Sequence, residues 1–144
     1  MPQLYPNTGA LFLAGNARTA LAASKIRLFQ DTGFIPTAGT TLADLEDIEA
    51  DYSGYAAGGI AVTNFTLPLL NASGGASIQS GLVQFTFTAP ADPAEPVPNV
   101  IGGFFLEDAT GKLVSVGTFP NGVAMQQNGQ GIPMNVQLVF GTIG

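Results

Sequence analysis

The chain has 144 residues, the length of one domain, and carries four basic side chains (Arg18, Lys25, Arg27 and Lys112) against ten acidic ones; its net charge of −6 repels phosphate-rich partners and disfavours nucleic-acid binding. Charged residues make up only 10% of it and hydrophobic residues 46%, so part of an unusually apolar surface is expected to meet a partner. The lack of histidine and cysteine removes the commonest general base, the thiolate nucleophile, disulfides and thiolate metal sites.

The opening Met1-Pro-Gln-Leu-Tyr-Pro lacks the basic-then-apolar pattern of a secretory signal, and no later stretch reaches the roughly 18 apolar residues a membrane span requires. The expectation is a soluble protein made in the cytoplasm, with no membrane partner. From Gly9 to Ala23 the Ala/Leu-rich composition allows a helix, weakened by Gly9, Gly15 and Asn16. Lys25 to Phe29 then alternates as a strand, with Ile26 and Leu28 on one face and Arg27 and Phe29 on the other.

Asp31 to Thr41 is turn chemistry, after which Thr40 or Thr41 offers an N-cap for a short helix through Leu42, Leu45 and Ile48. Gly59 to Leu67 reads as extended and is followed by a Ser73-Gly74-Gly75 turn. Leu82 to Thr88 is the clearest strand, with Val83, Phe85 and Phe87 sharing one face. Residues 89–98 hold Pro90, Pro93, Pro96 and Pro98 and predict a loop within a single domain spanning 1–144. Val100–Glu107 and Lys112–Val116 flank Asp108-Ala-Thr-Gly111 as a tight hairpin, and Val136, Leu138 and Phe140 write a last strand. The whole predicts a mainly β fold of about five to seven strands, an antiparallel β-sandwich or barrel with one or two short helices.

Candidate chemistry is sparse. Five acids crowd Asp44 to Asp51, a run that suits either a solvated helix face or a hard cation or basic partner surface, although its spacing is not that of an EF-hand. Glu107 and Asp108 beside the hairpin turn read as ordinary exposed charges; a carboxylate hydrolase built on Asp47 or Glu107 would need a pair held across a cleft. Ser24 and Lys25 point to opposite faces of a strand, so they make no dyad. Gly102-Gly103 and Gly129-Gln-Gly131 fit no phosphate-binding pattern, and no catalytic residue, metal or cofactor is expected. Candidate interface residues are Phe34, the pair Tyr52 and Tyr55, and Pro90, Pro93, Pro96 and Pro98. The tyrosines could equally pack over the end of the sheet, and the proline loop could be a solvated spacer or an arm laid on a neighbour.

Three segments taken in order, IRLFQDTGFIPTAGTTLADLEDIEADYSGYA (26–56), VQFTFT (83–88) and GGFFLEDATGKLVSVGTF (102–119), resemble the small virion proteins of tailed bacteriophages of the capsid decoration or accessory head type. The resemblance implies a small β-sandwich that binds the outer capsid shell and stabilises it. The implied partners are the major capsid protein or another virion protein, with homo-oligomers, and the implied location is the virion. The alternative is a tail, fibre or spike module binding a host-surface glycan or receptor, with Tyr52, Tyr55 or Phe34 as stacking faces.

Overall fold

A computed structural model describes residues 7–62, 64–72, 75–88, 99–125 and 129–140. In chain order these form α1 (Asn7–Ala20), β1 (Lys25–Gln30), α2 (Leu42–Glu46), β2 (Ile60–Ala61), β3 (Leu69–Leu70), β4 (Ala76–Gln79), β5 (Val83–Thr86), β6 (Asn99–Glu107), β7 (Leu113–Met125), β8 (Gly131–Met134) and β9 (Gln137–Phe140). The described residues are mainly β with two helices; their sheets are antiparallel and none closes into a barrel. The chain divides into two compact units. The proline loop lies outside the described residues.

Unit 1 comprises Met1–Ala23, Val62–Val83 and Met134–Gly144. Its three-stranded sheet has the order β3-β4-β9, and α1 packs against all three strands. The helix runs through Gly9, Gly15 and Asn16 because tertiary packing outweighs weak propensity. Ala10, Ala14 and Leu21 fall on one buried stripe, and Gly15 brings the backbone close to Pro68. In the sheet, Leu70, Ala76 and Phe140 align in one row and Leu69, Ser77 and Val139 in the next, on the opposite face. Ala76 and Ile78 are fully buried, whereas Leu69 and Val139 are exposed.

Unit 2 comprises Ser24–Ala61 and Gln84–Pro133. Its sheet has the order β2-β1-β6-β7, and it also holds most of the β5–β8 pair. In β1, residues Ile26 to Phe29 are all buried, so both faces of the strand are covered. Phe29, Leu45 and Phe105 form a core cluster, ringed by Phe34, Leu42, Ile48, Leu113 and Val116. Gly103 stands opposite Phe29, where a Cβ would meet the Phe29 ring and the Gly117 carbonyl.

The predicted hairpin forms at Asp108: its N–H donates to the Lys112 carbonyl at 2.9 Å, and Gly111 takes φ +84°. β7 continues well beyond the expected strand. Its irregularity opposite Gly102, between the Ile101–Val123 and Gly103–Thr118 pairs, takes up Pro120 and Gly122, residues that read as breakers in sequence.

Phe105→Ala is expected to lower the unfolding free energy by about 3–5 kcal/mol by opening a cavity. Gly103→Ala should cost about 1–3 kcal/mol through overpacking. Ile35→Ala, at a side chain 79% exposed, should stay within about 0.5 kcal/mol of wild type. Urea unfolding of the three variants checks the order.

Candidate interaction surfaces

The acidic run does not form one long helix. Thr41 and Asp44 make a capping box: Thr41 Oγ1 accepts the Asp44 N–H at 3.3 Å, and Asp44 Oδ2 accepts the Thr41 N–H at 2.9 Å. These hydrogen bonds hold the Asp44 carboxyl below its usual range. After Glu46 the chain leaves the helix and runs beside β1, with the Ala50 N–H donating to the Leu28 carbonyl and the Gln30 N–H to the Ile48 carbonyl. Pairing with a strand thus overrides the local helical pattern.

Arg27 explains the geometry of this segment. It is 7% exposed. Its Nε and Nη2 donate to the two carboxylate oxygens of Glu49 at 3.1 and 2.5 Å, while Nη1 donates to Glu107 at 2.7 Å and to Glu46 at 3.2 Å. The guanidinium also lies 5.0 Å from the ring centroid of Phe105, its cross-strand neighbour. Burial lowers the Arg27 pKa, but hydrogen bonds to Glu49 and Glu107 outweigh it and hold the group above its ordinary value.

Burial likewise pushes the Glu49 carboxyl up, and Arg27, the Gly58 N–H and the Tyr55 hydroxyl more than reverse the effect. Glu107, expected as an exposed charge, is therefore a member of an internal ion-pair network. Among the described residues no group of three metal-ligating side chains could hold an ion. Three carboxylates, those of Glu46, Glu49 and Glu107, gather around the chain's own arginine.

Of the candidate interface residues, Tyr52 is only 4% exposed. Its ring lies 5.4 Å from Tyr55 and 6.2 Å from Phe87, and burial pushes its hydroxyl up to about 12. The Tyr55 ring stacks on Phe85 at 6.0 Å; its O–H donates to Glu49 at 2.8 Å and its oxygen accepts the Leu28 N–H at 3.1 Å. Tyr52 is thus part of the interior, and half-buried Tyr55 spends one ring face on Phe85 and its hydroxyl on Glu49 and Leu28. Phe34 differs: half-buried and edge-on to Phe29 at 6.1 Å, it lines a shallow cavity of about 340 Å³ with Asp31, Ile35 and Phe119. Pro90, Pro93, Pro96 and Pro98 lie outside the described residues.

Sequence reading overlooked a second surface. Unit 1 exposes Phe12, Leu67, Leu69, Leu70, Leu82 and Val139, with Phe12 at 68% and Leu82 at 69%. All ten acidic residues belong to unit 2, which with Lys25, Arg27 and Lys112 stands at −7; unit 1 contains Arg18 alone and stands at +1. The signal was present in the sequence, because no acid occurs before Asp31 or after Asp108.

The Glu49 pKa is depressed below its ordinary 4.5, so its contribution to stability is present above that value and is lost as pH falls through the folded one. Glu49→Gln should therefore be less stable than wild type at pH 7 by about 1.5–3 kcal/mol. The gap should narrow on acidification below 4.5, as measured by denaturant unfolding over a pH series. Comparison with protein-family models, curated proteins and solved structures finds no match for the chain.

Proposed function

We propose that the chain is a bacteriophage structural protein, a capsid decoration protein that binds the outer shell and stabilises it. The observation that carries this reading is the apolar surface of unit 1, where large aliphatic and aromatic side chains stand exposed without a single carboxylate side chain. Large apolar side chains left exposed in this number supply contact area for a protein partner. A protein that binds only the assembled shell stabilises it by mass action. The ordered segments resembling head accessory proteins support the same role; apart from Val83 they belong to unit 2. The glycan-binding alternative has less support, since Tyr52 is buried and Tyr55 is half-buried with its ring stacked on Phe85 and its hydroxyl bound to Glu49.

Co-sedimentation with purified empty shells tests the reading. Wild-type protein should pellet with shells. Leu82→Ser and Phe12→Ser should each weaken binding by tenfold or more, since burying one large apolar side chain contributes about 1.5–3 kcal/mol. Circular dichroism should show both variants folded. Shells that take up none of the protein, together with virions that contain none by mass spectrometry, would overturn the proposal.

A further inference from the structure

The sheet of unit 1 ends on β9. Among the described residues β9 pairs with β4 alone, so its outer edge presents backbone N–H and C=O groups without a strand partner. Natural proteins usually guard such an edge with lysine, proline, a bulge or a covering segment. Gln137-Leu-Val-Phe140 contains no charge and no proline, and its register against β4 is unbroken from Gln79–Gln137 to Ala76–Phe140. The opposite edge of the same sheet, β3, is only two residues long.

Charge points to the occupant. Two copies of unit 2 would bring −7 against −7, whereas unit 1 has no acidic residue and its one cation, Arg18, donates from Nε to the Phe65 carbonyl at 2.9 Å. Unit 1 therefore meets a second unit 1 with only +1 against +1, far less like charge than two copies of unit 2 would bring together. The edge is also self-complementary. An antiparallel pair related by a two-fold axis must keep each side chain on its own face, so residues of equal parity face one another. Centring the axis on Val139 sets Val139 against Val139, and Leu138 of one copy against Phe140 of the other. Apolar groups then meet apolar groups on both faces; centring on Leu138 would set Gln137 against Val139.

We propose that β9 pairs with β9 of a second copy of this chain, joining two three-stranded sheets into one of six strands. The pairing does not rest on the shell-binding role, and it leaves Phe12, Leu67 and Leu82 free for another partner.

Sedimentation velocity on the full chain in free solution tests it, so its failure is distinct from failure to bind shells. Wild type should dimerise with rising concentration. Val139→Lys places two cations face to face and should raise the dimer dissociation constant at least tenfold while leaving the circular dichroism spectrum unchanged. The chain has no cysteine, so Val139→Cys supplies a single thiol and should give a covalent dimer on mild oxidation, because facing residues of an antiparallel pair lie within disulfide reach. Ala109→Cys, at an exposed turn of unit 2, should remain monomeric on reducing-agent-free gels. A wild type that sediments as a monomer at every concentration, an oligomer that survives Val139→Lys, or equal cross-linking at residue 109 would overturn the proposal.

Discussion

A buried guanidinium organises unit 2. Arg27 sits on a strand covered on both faces, and removing a charge from water costs several kcal/mol unless it is paired and hydrogen-bonded. The chain meets that requirement from three separate places: Glu46 at the end of α2, Glu49 on the segment beside β1, and Glu107 at the end of β6. Satisfying one side chain therefore ties together residues up to eighty positions apart. The constraint extends outward through Glu49, which accepts the Tyr55 hydroxyl and the Gly58 N–H, and through Tyr55, which reaches the backbone of Leu28. The turn that carries the two tyrosines and the acidic segment that precedes it are held by one electrostatic centre.

The same requirement bears on function. Carboxylates already spent on Arg27 are poor candidates for ligating a foreign cation, and Tyr55, whose hydroxyl is bound to Glu49, has its polar end engaged inside the unit. Unit 1 presents the contrary case. It buries the small residues Ala10, Ala14 and Ala76 along with Leu21, Phe65 and Ile78, and leaves other large apolar side chains outside. Small inward residues permit a close helix-to-sheet approach, while the outward aliphatic and aromatic groups supply contact area. The acidic side chains all lie on one unit, and the other exposes large apolar side chains without a carboxylate.

Much of the fold was legible because the relevant signals are local. The alternation of Val83 and Phe85, the Asp108 turn with Gly111, and the Thr41 cap all depend on residues within a few positions of one another, and each appears where the sequence places it. The length of α2 and of β7 was not legible. Glu49 is extended because it pairs beside Phe29, and Pro120 is tolerated because β7 bulges there, opposite Gly102 of β6. Both outcomes depend on a partner strand that no local window contains.

Composition and periodicity alone determined a charge-poor, mainly β chain without histidine or cysteine chemistry, and they placed its acids between Asp31 and Asp108. Tertiary structure decided what those acids do, which tyrosines are spent in the interior, and which apolar side chains face outward. The physical reason is range. Strand and turn propensities act between neighbours in the chain, whereas burial and the pairing of a buried charge are settled only when distant segments meet.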